Sequence, residues 1–553
     1  MATIIFIAKI LKLFITTLFL ITFMTSEIFP QMQREWIQRF NGAANSFDIA
    51  SGMLNVPSGG VLVYGSSVGF GSLTDFALMR YSSEGNELWK ATYNGEANQS
   101  DQISSAALSE SSDIFVTGFI TLNDNNSGYA VAKFLSNGSL SWVRIAEEPG
   151  YISGMGEAIT VSSSGRIVSA GQLRNSSDEY KVILISYSSA GTLISKYILN
   201  SPGNSFSISM QPGDAGSVYL AYEKAVQNSG SDIAVAKFDS SLNLVWEMTF
   251  TGDAISSYDR PSEMKSDESG NVYICGSVIN TVSSADYFTA KISASGNVIW
   301  EYEYDGQFTD ISSSIAVDNS GNSYITGFSR SGAALGSEDI FTIKLNELGI
   351  HEWTSRYNGE VNGIDGGNTV AVDTSGNVYV GGYSDKGDVK VTYITLKIDR
   401  AGNLSWSDRY SLTIEPEDFI YSTVIDNENS VYVTGISLSD TTDYDIATIK
   451  YSNSVGIEST PITTPNSAEL FQNFPNPFNP QTSIRYELRS VSFISIIISD
   501  VKGRQVASIV NSRQNSGSHE IEFAPEGLPS GIYFYTLYSD CIPVSSKSMV
   551  LLK

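Results

Sequence analysis

Tryptophan returns along this chain with a fixed step. It stands at positions 36, 89, 142, 246, 300, 353 and 406, separated by 53, 53, 104, 54, 53 and 53 residues. The gap of 104 is two steps, with Ser195 in the middle slot. A second motif keeps the same step: VLVYG ending at Gly65, IFVTG at Gly118, IVSAG at Gly171, VYLAY at Tyr222, VYICG at Gly276, SYITG at Gly327, VYVGG at Gly382 and VYVTG at Gly435. A third is the segment typified by DIFTIKLNELG (339–349) and DYFTAKISASG (286–296). A repeat this long is one supersecondary unit that buries its apolar face against its neighbours.

Each unit reads as four strands. SSIAVD (313–318) runs into the turn NSGN (319–322), then SYITGFS (323–329), DIFTIKLN (339–346), the turn ELG (347–349) and IHEWTSRYNG (350–359). The runs are short, β-branched and aromatic, and Gly, Asn, Ser and Asp separate them. No stretch of the middle region holds a helical period. Four strands per unit predict the blade of an all-β propeller rather than a helical solenoid. Eight VYVTG-like strands and eight Trp-type strands predict eight blades; seven blades plus a degenerate unit is the alternative. The Trp36 strand precedes the first unit, and the last unit ends near Ile457 with no fourth strand of its own. Residues 36–42 are therefore expected to close the last blade, leaving no free edge.

The units VDTSGNVYVGGYS (372–384), VDNSGNSYITGFS (317–329) and SDESGNVYICGS (266–277) resemble the SBBP β-propeller repeat. The resemblance spans about 36–457 and implies the fold, not an activity, because propellers host unrelated functions.

Both ends differ from the middle. In residues 1–31, Lys9 and Lys12 precede an uncharged apolar run from Leu13 to Met24. That run is short for a membrane span and suits a signal peptide, with an uncleaved N-terminal anchor as the rival. With no Cys there, a lipid anchor on Cys is not expected. Residues 458–469, ESTPITTPNSAE, read as a Thr/Ser/Pro linker. Residues 470–553 then alternate: SIRYEL (483–488) puts Ile484, Tyr486 and Leu488 on one face, and HEIEF (519–523) does so with Ile521 and Phe523. This predicts a small C-terminal β-sandwich.

The tail motifs FQNFPNPFNPQTSIRYEL (471–488), DVKGRQV (500–506), SGSHEIEF (516–523), LPSGIYFYTL (528–537) and KSMVLLK (547–553) resemble the type A C-terminal sorting domain of the type IX secretion system. One departure is ISD (498–500), where the family usually has an aromatic residue before Asp. The resemblance implies Sec export, a second passage through an outer-membrane translocon that reads residues 470–553, and a final place outside the cell or on its surface. It implies sorting-signal roles for Phe474, Pro475, Asn476, Pro477, Phe478, Gly503, Gly531, Lys547 and Lys553. The prolines exclude helix there, and Phe474 and Phe478 are expected to pin an extended arm to the sandwich.

Charge and composition exclude much else. The net charge is −26 and the pI about 4.4, the opposite of a nucleic-acid-binding surface. The tail is nearly balanced, so the acidity lies in the propeller and linker. The apolar fraction of 42% builds a core but not an integral membrane protein of many spans. Two Cys far apart, Cys275 and Cys541, offer neither a disulfide framework nor a zinc site, and two His, His351 and His519, leave little triad chemistry.

No catalytic constellation, cofactor or metal set is therefore expected. The G-x-S-x-G run at 65–69 follows a strand, not an elbow before a helix. The Asp267, Asp318 and Asp373 turns read as hairpins rather than calcium loops. The recurrent Asp and Lys five apart, such as Asp339 and Lys344, fall on opposite faces of a strand and are not each other's partners. The connections from second to third strand vary most, so a ligand face is expected there. They carry Asp124, Asp440, Asp443, Asp445 and Glu338, with Tyr129 and Tyr444. That set suits calcium, cationic groups or sugar hydroxyls, and equally a solvated surface. The expected function is non-enzymatic binding or adhesion to an extracellular glycan or protein. The alternatives are a polysaccharide hydrolase or lyase working through loop carboxylates, and a structural surface protein without a ligand.

Overall fold

The computed structural model describes residues 32–453 and 468–552, apart from 125, 200–207, 227–229, 255–256, 282–283, 333–335, 388–389, 414, 440–441, 489–491, 501–503, 526 and 540–541. The leader 1–31, most of the linker, Asp440, Gly503, Cys541 and Lys553 lie outside the described residues. The chain divides into two compact units, Met1–Val455 and Gly456–Lys553.

The first unit holds eight four-stranded antiparallel sheets among the described residues. Sheets 1 to 8 are numbered here by their opening strands: Asp48–Asn55, Asp101–Leu108, Tyr151–Val161, Ile208–Pro212, Arg260–Ser266, Asp310–Val317, Asp365–Val372 and Phe419–Ile425. Seven of them use four consecutive strands. The eighth takes its outer strand from the other end of the chain: Met32–Phe40 pairs antiparallel with Asp443–Asn453, Ile37 opposite Ile449. Each opening strand packs against that of the next sheet, and Asp48–Asn55 also packs against Phe419–Ile425. Side chains stitch these strands together: Ser51 donates to Ile103 O (2.5 Å), Ser262 to Ser312 O (2.6 Å) and Asn368 to Ile420 O (2.9 Å).

The tryptophans join one sheet to the next. Trp89, on the outer strand of sheet 1, donates its indole N–H to Ser136 O in a turn of sheet 2 (3.1 Å). Trp36, Trp142, Trp246, Trp300 and Trp353 repeat the bond to Ser83, Ser189, Ala294, Glu347 and Arg400. Each ring lies over the glycine of that turn. At Gly349 (φ +77°) an added Cβ would sit 2.5 Å from Trp300 Cγ, so backbone conformation and space both demand glycine. The Lys of the third strand is register partner to the Trp and lies over the ring of the VYVTG-type Tyr, as Lys344 does over Tyr324 (5.6 Å). Its carboxylate partner is not the Asp five residues back: Lys344 bonds Glu352, and Lys450 bonds Glu35. Where Ser195 replaces Trp, Arg166 takes over, donating to Gly216 O (3.2 Å) and to the hydroxyls of Ser186 (2.6 Å) and Ser195 (3.3 Å).

The second unit packs a three-stranded sheet (Ala468–Leu470, Thr482–Leu488, Gly517–Phe523) on a four-stranded one ordered Gln505–Gln514, Ser492–Asp500, Gly531–Ser539, Ile542–Leu551. Ile484, Tyr486 and Leu488 join Ile494, Ile496, Tyr535 and Leu537 in one core.

Removing the indole of Trp300, which is 9% exposed, is expected to cost about 3–5 kcal/mol. Gly349→Ala is expected to cost more than about 1 kcal/mol through strain at positive φ. Urea-unfolding midpoints of the two variants check both.

Candidate functional site

The loop carboxylates do not converge. Asp124 belongs to sheet 2, whereas Asp443 and Asp445 belong to sheet 8. Asp124 is exposed and accepts from the backbone N–H (3.1 Å) and side-chain amide (2.9 Å) of Asn126, bonds that hold its pKa below the usual value. Asp445 is buried, ion-paired to Arg39 at 2.9 Å and bonded by Thr442 at 2.9 Å. Asp443 is exposed at φ +67°. Glu338 is held by Arg330 at 2.8 Å, and the Tyr444 hydroxyl donates to Glu417. Tyr129 departs from expectation altogether. Its ring is fully buried, with the hydroxyl against Ser169 at 2.7 Å, because it lies in the paired body of strand Ser127–Phe134.

Other motifs are structural. Asp318 Oδ1 accepts the N–H groups of Ser320 and Asn322, while Oδ2 accepts from the Asn322 amide and the Tyr324 hydroxyl. Asp373 does the same in its own turn, so both carboxylates are engaged by their own hairpins. Ser66 and Ser67 are buried within strand Val61–Val68, so the G-x-S-x-G run is no nucleophile elbow.

A set of buried carboxylates escaped the sequence reading. Asp48, Asp101, Asp259, Asp310, Asp365 and Asp418 sit at or just before the opening strands of their sheets, each fully buried. Five of them accept the N–H of a preceding glycine: Gly42, Gly95, Gly252, Gly306 and Gly359, at 2.6–2.8 Å. Burial pushes Asp48 and Asp418 up to about 6. At these five the signal was present as an Asp four to seven residues after a glycine just past the end of a fourth strand.

The inner strands line an open cavity of about 730 Å³. Met155, Glu157, Ile208, Tyr258, Arg260 and Ile311 contribute to its wall. Arg260 lies over the exposed ring of Tyr258 at 5.9 Å. Glu157 accepts from the Gln172 amide, yet burial pushes its carboxyl up to about 7. On the opening strands of sheets 5 and 6, Ser314 donates to Glu263 (2.6 Å), which also pairs with Lys265 (2.5 Å).

In the tail, Phe478 is 2% exposed within the sandwich core, whereas Phe474 is 81% exposed. Only one of the two rings pins the arm; Phe474 bonds through its backbone alone, to Ser483. The strand Ile542–Leu551 is a sheet edge, and the proline-rich arm covers its end. Phe478 N–H donates to Val550 O, Leu552 N–H to Phe478 O, and Val550 N–H to Asn476 Oδ1. Lys547 is half-buried on this strand, and Gly531 opens its neighbour.

The family profile of the secretion system C-terminal sorting domain matches residues 472–551. The chain carries a type IX sorting tail. The β-propeller repeat profile, SBBP, matches 352–388, the stretch running from the outer strand of sheet 6 into sheet 7. The tail marks this propeller protein for export to the cell surface or extracellular space. Among the described residues no helix is long and apolar enough to cross a membrane. No curated protein matches the chain. Similar solved structures include the WD40 domain of Neurospora crassa Pan2 (11% identity, 64% of this chain and 90% of that one, TM-score 0.39). A fungal AA5-family alcohol oxidase in complex with copper matches at 13% identity, 94% and 99% coverage and TM-score 0.38. A protein of unknown function from Bacteroides caccae matches at 12% identity, 51% and 90% coverage and TM-score 0.29. At these scores the likenesses carry no inference about activity.

The Glu157 carboxyl gives a pH prediction. Its folded-state pKa lies above its ordinary 4.5, so between about 4.5 and 7 the folded chain holds a proton that the unfolded chain has released. Its contribution to stability falls as pH rises through that window and is level above it. Glu157→Gln is expected to flatten this part of the decline, read as melting temperature against pH.

Proposed function

We propose that this chain is a secreted binding protein: a closed eight-bladed propeller, exported through its tail, that engages an extracellular glycan or protein at the cavity between its inner strands. The sorting-domain match at 472–551 carries the exported half of this reading. Eight four-stranded sheets, the Met32–Phe40 strand in the eighth and the packing of sheet 1 on sheet 8 support the ring. The cavity supports the binding half. Its Tyr258 ring and Arg260 guanidinium offer stacking and charge-assisted hydrogen bonds, the pairing that sugars and acidic groups require. Residues 1–31 serve as signal peptide and 458–469 as linker in this reading.

A second reading is favoured by one observation. A carboxyl with a pKa of about 7 in a cavity is suited to general-acid work, so Glu157 makes the propeller a candidate polysaccharide hydrolase or lyase. A thermal-shift screen of the purified chain against a glycan panel separates the two. Binding lost in Tyr258→Ala without turnover supports the first reading; glycan cleavage abolished by Glu157→Gln supports the second.

We also infer that the translocon reads the exposed part of the arm, the edge strand and the start of its neighbour, through Phe474, Pro475, Asn476, Pro477, Lys547 and Gly531, with Gly503 and Lys553 completing the set, while Phe478 holds the fold. Deleting 472–551 is expected to leave the protein within the cell envelope, seen by immunoblotting cell and medium fractions. Phe474→Ala is expected to cut secretion with the tail still folded. Phe478→Ala is expected to lower tail stability by about 3–5 kcal/mol.

A further inference from the structure

Seven of the eight sheets share a β-bulge in the opening strand, where one residue stands unpaired between two that face the second strand. The bulged residue is a serine in sheets 1, 2, 5 and 6, Asn368 in sheet 7, Tyr421 in sheet 8 and Glu157 in sheet 3. The carbonyl two residues earlier presses on the glycine of the VYVTG-type strand, where an added Cβ would sit 1.8–2.4 Å from it. Sheet 4 has the fully buried Tyr222 in that glycine's place. Its pairing runs from Ile208 opposite Tyr222 to Ser209 opposite Ala221 with no residue left over. Glycine and bulge therefore come together, and the tyrosine of sheet 4 excludes both.

Charge at these positions is confined to two sheets. Among the seven bulged residues Glu157 alone carries a charge, and among the seven whose carbonyls meet the glycine Arg260 alone does. Sheets 3 and 5, which supply them, both pack their opening strands against that of sheet 4. Both side chains line the cavity of about 730 Å³, to which sheet 4 gives Ile208. The Arg260 Nε faces the buried carboxylate of Glu223 at 3.6 Å, and the side chain is 54% exposed, so the guanidinium is oriented without being covered. Ser277 stands opposite Arg260 across the strand pair, and with Ser104 and Ser262 it adds hydroxyls to the wall. Tyr258 exposes its ring two residues before Arg260.

The geometry points to a neutral saccharide as the ligand of this cavity, held by Glu157 and Arg260 from the sheets flanking sheet 4 and stacked on Tyr258; this rests on the cavity reading proposed above. Size decides against a protein. A cavity of about 730 Å³ falls within the range of about 300–1,000 Å³ usual for small-ligand sites, whereas a protein partner covers roughly 800 Å² of surface. Charge decides against a polyanion. The chain carries −26, and the one arginine of the cavity is offset by Glu157 and Glu223. Sugar hydroxyls both donate and accept, so a carboxyl and a guanidinium fork in one cavity match them with charge-assisted hydrogen bonds. The apolar face of a sugar ring then meets the exposed tyrosine ring.

The test is an array of neutral and uronate-bearing oligosaccharides probed with the purified full chain, followed by calorimetric titration of the neutral oligosaccharide retained most strongly. The expected result is retention on neutral glycans and none on uronate-bearing ones. Glu157→Ala and Arg260→Ala are each expected to weaken binding at least about tenfold, the loss of one hydrogen bond to a charged group. Arg260→Lys, which keeps the charge and loses the planar fork, is expected to weaken it as well. Should Glu157→Ala not fold, the exposed Arg260 decides. Binding confined to uronate-bearing glycans and lost in Tyr258→Ala overturns this inference and leaves the cavity reading standing. Glycan binding untouched by Glu157→Ala, Arg260→Ala and Tyr258→Ala overturns the cavity reading itself. An array that retains nothing overturns the saccharide.

Discussion

The joint between one sheet and the next is made by an indole ring. Its N–H ends on a turn carbonyl of the neighbouring sheet, and its face covers the glycine of that same turn. One side chain thus satisfies a polar group and buries a large apolar surface at the same place, so the geometry of each sheet is passed on to the next. The period of about 53 residues is the spacing of this joint, repeated. Where the indole is missing, at Ser195, Arg166 from a turn of the same sheet carries the polar contact to Gly216 O of the next sheet in its place.

Electrostatics follow the same repeat with less regularity. Aspartates at the opening strands are buried in order to cap glycine N–H groups, and burial holds several of them above their ordinary pKa. The third-strand aspartates are met differently, by arginine in two sheets: Arg356 on Asp339 and Arg39 on Asp445. The acidity that looked like a surface property from composition is partly an interior one, placed at the boundaries between sheets.

What was legible in the sequence was whatever recurs with a strict step. The Trp, VYVTG and D-x-x-x-x-K positions placed the strands, and the orphan Trp36 strand pointed to the last sheet because both ends of the array were incomplete. The alternation in SIRYEL placed the sandwich core correctly at Ile484, Tyr486 and Leu488. The site was less legible because a variable loop does not fix the exposure of the residues that flank it. Tyr129 and Asp445 flank variable loops, yet both are buried, since the strands continue further toward the loop tips than the turn residues suggest. Phe474 and Phe478 look alike in FPNPFNP, but only Phe478 faces the core.

The outer strand of the eighth sheet comes from residues more than 400 positions earlier, Ile37 facing Ile449. A chain delivered across a membrane from its N-terminus must therefore hold that first strand unpaired until nearly the whole array has emerged. An array cut short before Asp443 leaves the Met32–Phe40 strand without its partner and the ring of sheets with an exposed edge at its head.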